Sequence, residues 1–222
     1  MSFYHKYLSY LNVIPIKKYE SVYNGTLEIN WLNGRKVLDT RNTNYSYGNL
    51  GKVLHKALTN TKTDFVNKDT EILILGLGGG DVVKQFRERF KSCAKITAIE
   101  IDPVIIEIAI KEFSIIPDSK LEIIKEDAEL FLKYNHKKFD LILVDLFFDT
   151  DIPEFVFQKS FIQSIYNALD IQGSAIFNTF ILEEWHEERN DRFAALLKKC
   201  FSLQSFKRLY GHNHLLIAQK IK

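Results

Sequence analysis

Between residues 76 and 145 the chain carries four short segments that could together hold a nucleoside. The first is Gly76-Leu77-Gly78-Gly79-Gly80. Glycine there lets the backbone approach a ligand closely and frees N–H groups at the start of a helix. The second is Glu100-Ile101-Asp102, about 20 residues on, where an acid can accept hydrogen bonds from ribose hydroxyls. The third, Glu126-Asp127-Ala128, sets a carboxylate beside a small residue, which can accept from an adenine amino group and leave room for the ring. The fourth ends in Asp145. Singly, each has a plainer explanation: Asp102 and Asp127 are good helix N-caps, and many glycine turns are merely tight. On four successive strand ends they form a coherent pocket. A dinucleotide such as NAD fits less well, because Asp81 and Val82 follow Gly80 and the GxGxxG spacing is not completed.

These residues need strands that end where they stand, and the pattern supplies them. EILILG, from Glu71, is a continuous apolar run, as expected of a parallel strand buried on both faces. A helix over about 81–91 follows. KITAIEI is a second strand, and Asp102-Pro103 opens a helix with proline in its first turn. LEIIKED and FDLILVD are the third and fourth strands, FQKSFIQSIYNAL a helix, and SAIFNTF a fifth strand after Gly173. A charged helix, EEWHEERNDRFAALLKKC, precedes LQSFKRLY and HLLIAQK, which the short turn at Gly211 makes an antiparallel hairpin. The expected class is α/β, a Rossmann fold of the class I methyltransferase kind: a mainly parallel seven-stranded sheet with an antiparallel C-terminal hairpin. Ahead of it, Asn24-Gly25 and Asn33-Gly34 are hairpin turns, and Leu27, Ile29 and Trp31 alternate with polar residues, giving a small β-meander. Leu50, Val53, Leu54, Ala57 and Leu58 then recur at helical spacing. The domains expected are 1–48, the hairpins, and 49–222, the Rossmann-like unit.

The 222 residues carry a net charge of +2, with basic and acidic residues interleaved. That leaves no basic stripe for nucleic acid. No apolar run approaches the roughly 20 residues of a membrane span, and the first residues lack the form of a signal peptide. Cys93 and Cys200 have no CxxC partner and read as free thiols of a cytoplasmic protein. A metal is not expected. His212 and His214 alternate on one strand, but no third ligand lies near, so a turn with solvent-facing imidazoles is the expectation.

From about residue 14 onward the chain resembles the spermidine synthase family, the polyamine aminopropyltransferases, and their methyltransferase-like relatives. LGLGGGDVVKQF stands where that family has a glycine-rich IGGGDGG segment, AIEID where it binds ribose, and EDAELFL where it binds adenine. FDLILVD leads into its catalytic loop. The resemblance implies a small N-terminal β-domain, a homodimer, and a ligand that is S-adenosylmethionine or its decarboxylated form. It puts Gly76, Gly78, Gly80, Glu100, Ile101, Asp127, Ala128 and Asp145 on the cofactor. The departures bear on the reaction. The family's amine-binding acid falls on Gly79, and its catalytic aspartate on Phe148, in the loop Asp145-Leu146-Phe147-Phe148-Asp149. Its Gln-x-Glu amine-binding segment reads Asn178-Thr179-Phe180, and its tyrosine-histidine pair reads Tyr47-Gly48.

A diamine is a dication at pH 7 and needs carboxylates and a base. A substrate pocket of Tyr47, Phe147, Phe148 and Phe180 offers neither, and burying an unpaired charge there is costly. The expected function is therefore a methyltransferase acting on a small molecule, with Asp145 and Asp149 the catalytic candidates. Asp151, Tyr45, Tyr47 and His186 are further candidates. The alternatives are aminopropyl transfer with Asp149 or Asp151 as a displaced base, and nucleoside binding without transfer. Trp185 or His186, after the fifth strand, could also cap the pocket.

Overall fold

The computed structural model describes residues 2–40, 50–61, 63, 67–148 and 151–221. The expected domain boundary between residues 48 and 49 lies outside them. Strands β1 (Ile14–Ser21), β2 (Gly25–Leu32) and β3 (Arg35–Asp39) form an antiparallel meander. Its second turn is closed by Asn33 and Gly34 at φ 49° and 74°, the positive pair that a right-twisted hairpin requires. Leu27 and Ile29 are buried as the alternation predicts. Trp31 is only half-buried, and the supposedly outward Asn30 is buried, its amide donating to Asp39 at 2.8 Å. Helix α1 (Ser2–Leu8), which has no clear apolar period, precedes the meander and is tied to it by Ser9, which accepts from the Asn33 and Gly34 amides at 2.9 Å each.

The large sheet contains β4 (Glu71–Leu75), β5 (Lys95–Glu100), β6 (Leu121–Lys125), β7 (Phe139–Val144), β8 (Leu169–Phe180), β9 (Phe201–Leu209) and β10 (Asn213–Lys220). Their order is β6-β5-β4-β7-β8-β10-β9, parallel through β8, with β10 antiparallel to both neighbours. This is the expected methyltransferase-like Rossmann sheet. Alternate residues divide it cleanly. Ile72, Ile74, Leu141, Leu143, Ile176 and Ile217 face helices α2 (Leu50–Leu58), α3 (Asp81–Lys84) and α4 (Pro103–Phe113), together with the meander's Leu27, Ile29 and Leu38. Leu73, Leu75, Ile142, Val144, Phe177 and Leu216 face α5 (Ala128–Tyr134), α6 (Lys159–Ala168) and α7 (Glu184–Leu197).

Three details differ from the sequence reading. The helix after the glycine turn continues from Lys84 as one π-helical turn, Gln85–Arg89. Strand β8 starts at Leu169, because Gln172 at φ 64° and Gly173 absorb an irregularity in its pairing with β7. His214 is not solvent-facing: it is fully buried, on the strand face that carries Leu216 and Ala218 under α7. His212 is exposed.

The meander is held on the Rossmann core by two carboxyl groups. Glu112, near the end of α4, accepts from the Tyr19 hydroxyl at 2.8 Å and from Lys36 at 3.0 Å. Burial raises the Tyr19 pKa, while the bonds from Lys36 and Tyr19 outweigh burial and lower that of Glu112. Asp102, fully buried before α4, caps that helix through the Val104 amide at 2.8 Å. Its other oxygen accepts from the Ser21 hydroxyl and from the Asn24 side chain at 2.7 Å.

Candidate functional site

A cleft opens beyond the carboxyl ends of β4, β5 and β7. Parallel pairing sets this up: the Gly76 amide donates to Ile99 at 2.9 Å and the Asp145 amide to Leu75 at 2.9 Å, so three strand ends are level. Gly76, Gly78 and Gly80 have φ of 93°, 52° and 78°, which only glycine adopts without strain. Gly76, Leu77, Gly78, Glu100, Ile101, Asp145, Phe147 and Phe148 line the cleft, and Asn24 reaches it from the β1–β2 turn.

Glu100 braces the glycine turn. One carboxyl oxygen accepts from the Leu77 amide at 3.0 Å and the Gly78 amide at 3.4 Å, and the other from the Asp102 amide at 3.0 Å. Burial raises its pKa and these three amides oppose the rise. A carboxylate with two oxygens has about four acceptor positions, so the arrangement leaves capacity for a ribose hydroxyl. Asp127 caps α5 through the Leu130 amide at 2.9 Å, and Ala128 behind it is buried. Both stand at the end of β6, and they and Gly80 of the glycine turn lie outside the enclosed part of the cleft.

Asp145 lies at the base. Its Oδ1 accepts from the Asn178 side chain at 2.9 Å. Burial pushes its carboxyl up to about 6, against the Asn178 bond and with help from the negative charge of Asp81 across the cleft. Asp81 is itself raised by burial, with Lys84 and Arg35 opposing. The sequence reading missed Asn178 as the partner of Asp145. The signal was present, since Val144 pairs with Phe177 in parallel register and the next residue of each strand must be neighbours.

Above Asp145 the wall is aromatic. Phe147 stacks on Phe180 with centroids 5.7 Å apart. Phe148 and Asp151 exchange backbone bonds at 2.8 and 2.9 Å, closing the loop between them. Asp149, Tyr45 and Tyr47 lie outside the described residues. His186 is buried, stacks on Trp185 at 3.7 Å and lies 4.9 Å from Phe180. Its Nδ1 accepts from the Glu183 amide at 3.2 Å, so the ring caps α7, and burial lowers its pKa. Trp185 is half exposed beside it.

A family model described as the spermine/spermidine synthase domain matches residues 51–206. A polyamine aminopropyltransferase of Vibrio vulnificus is 27% identical over 143 residues, which cover 63% of this chain and 48% of that protein. An eEF1A lysine and N-terminal methyltransferase homolog of Drosophila pseudoobscura pseudoobscura is 33% identical over 103 residues, 45% of this chain and 15% of that protein. The chain thus spans less than half the length of these curated relatives. Human methyltransferase-like protein 13, solved in complex with SAH, superposes with a TM-score of 0.65 at 22% identity, covering 78% of this chain and 83% of that one.

Proposed function

The chain belongs to the spermine/spermidine synthase family, and from that premise we propose that it is a transferase that binds S-adenosylmethionine and passes its methyl group to a small molecule. The observation that carries the reading is the wall of Phe147, Phe148 and Phe180, in which Phe148 and Phe180 stand where the resemblance places carboxylates. The residues present suit the adenosyl ligand. Glu100 offers acceptors to ribose, Ile101 an apolar edge, Asp127 and Ala128 a place for adenine, and Gly76, Gly78 and Gly80 a turn without side chains. When bound, S-adenosylmethionine supplies an electrophilic methyl on a cationic sulfur. Asp145 stands where that charge would favour its ionised form. Facing the aromatic wall, it can take a proton from an acceptor held there, and a nucleophile that needs no deprotonation reacts by orientation alone.

Calorimetry with S-adenosylmethionine and its decarboxylated form, followed by transfer assays, tests the reading. Tighter binding of S-adenosylmethionine and no product from a panel of diamines are expected. If Asp145 is the base, kcat/KM for the cofactor falls about tenfold per pH unit below about 6, as Asp145 takes up its proton in the free enzyme. Asp145→Asn then removes both the activity and that limb of the profile. The relation to aminopropyltransferases favours a second reading, with Asp149 or Asp151 as base; turnover of putrescine with decarboxylated S-adenosylmethionine would establish it. Nucleoside binding with no transfer to any extract would reduce the protein to a binding module.

The proposed setting is cytoplasmic, in keeping with the free thiols of Cys93 and Cys200. Among the described residues no helix is long and apolar enough to cross a membrane. The proposed partner is a second copy. Tyr7, Tyr10, Leu11, Val13 and Val22 are exposed in and around α1 and the meander, and a face of that kind suits an isologous contact. Sedimentation at micromolar concentration is expected to give a dimer; a monomer would overturn this.

A further inference from the structure

Arg189, on α7, is set among aromatic rings. Its guanidinium carbon is 4.2 Å from the ring centre of Phe157, 5.2 Å from that of Trp185 and 5.7 Å from that of Phe180. Such contacts hold an arginine plane in place. Its hydrogen bonding is sparse. Among the described residues only Asn190 Oδ1 accepts from it, at 3.3 and 3.4 Å, and no carboxylate lies within ion-pair distance. Of the acids nearby in sequence, Glu183, Glu187, Glu188 and Asp191 are engaged elsewhere, Glu188 with Arg192. Glu187 and Asp191 hold Lys207, Glu187 also holds Arg208, and Glu183 accepts from Trp185. Asp151 acts on the guanidinium only at a distance. A guanidinium has five N–H donors, and here most lack a protein acceptor.

The position matters as much as the chemistry. Phe180 neighbours Arg189 and also stacks on Phe147. Asn190, fully buried, donates to the Phe180 carbonyl at 3.0 Å and so fixes the end of β8 to the same helix. The cation is therefore linked through Phe180 to Phe147, which lines the cleft. A fixed fork with open donors suits a planar oxyanion.

We propose that Arg189 receives the carboxylate of the acceptor, whose apolar body lies along Phe147 and Phe180. The acceptor class is then an aromatic or aliphatic carboxylate, opposite in charge to a polyamine. The assignment rests on reading the cleft as the transfer site. Trp185 provides a direct readout, because Trp31→Phe leaves it the chain's one tryptophan. In that background, Trp185 fluorescence is titrated with 3-phenylpropanoate and with 3-phenylpropylamine, at saturating S-adenosylhomocysteine and without it. The carboxylate is expected to bind at least about tenfold more tightly than the amine. Arg189→Gln should abolish that preference and Arg189→Lys keep part of it, with S-adenosylhomocysteine affinity unchanged in both. Equal binding of the two probes, or carboxylate binding that survives Arg189→Gln intact, would overturn the assignment. A carboxylate preference with no S-adenosylhomocysteine binding would instead sink the cofactor reading and leave the anion site standing.

Discussion

Gly76→Ala is expected to destabilise the protein by about 3–5 kcal/mol, since it combines backbone strain with a clash against main chain. At φ 93° any side chain is strained. An added Cβ at Gly76 would also run into the Asp145 carbonyl oxygen, which belongs to backbone and cannot swing away. Relief requires β4 and β7 to part at their carboxyl ends, and that displaces Asp145 from Asn178 as well. For a chain of this length the melting temperature should fall by roughly 10 °C. Gly25→Ala is the control: Gly25 has φ 63° but nothing within 4 Å of an added Cβ, so strain alone costs about 1 kcal/mol. Thermal unfolding of the two variants in parallel separates the terms. Equal losses would show that the close approach of Gly76 to Asp145 is of no consequence.

A second large effect concerns acid. His214 is fully buried, its Nε2 is 2.8 Å from the Ser205 hydroxyl, and its Nδ1 has no partner. Burial pushes its pKa down to about 4, with Lys207 acting the same way and Asp191 and Glu187 opposing. The sign follows from linkage. The unfolded chain, with an imidazole near its ordinary value, binds the proton more readily than the folded one. The contribution to stability is full above about pH 6.5 and is lost as pH falls toward 4. The size of the loss is about 3 kcal/mol, reached in full only below about pH 4. Urea unfolding at pH 7.5 and 4.5 measures it. His214→Leu loses the Ser205 bond at both pH values, yet it should shrink the difference between them by about 2.5 kcal/mol, since the loss is not complete at pH 4.5. A difference that persists in the variant would mean that carboxyl groups alone carry the acid sensitivity.

Much of the fold was legible because parallel strands buried on both faces leave apolar runs with no polar member, as in ILIL from Ile72 and LILV from Leu141. Gly76 to Gly80, Glu100 and Asp145 were legible for a related reason: each is the first polar or flexible residue after such a run. What escaped the sequence required knowing which elements touch. Asn178 became a partner of Asp145 only through the adjacency of β7 and β8. Helix α1 has no period of its own and leans on the Asn33-Gly34 turn through Ser9. His214 was misjudged by residue type, although the period of two puts it with Leu216 and Ala218, facing α7. Arg189 read as one more charge on a solvated helix, and only Phe157, Phe180 and Trp185 converging on it give it a setting.

The bonds from Ser21 and Asn24 to Asp102, and from Tyr19 to Glu112, join residues 81, 78 and 93 positions apart. During synthesis the amino end is made first, so the meander leaves the ribosome well before either carboxyl group exists. At roughly 5–20 residues per second that interval lasts on the order of 5–20 seconds. A lone meander is marginal in water, and Leu27 and Ile29 reach their final burial only when the rest of their core cluster, α4 included, has been made. The meander, made before its anchors, is therefore among the last parts to reach its final place, and it spends the wait with an apolar face open to association with other nascent chains.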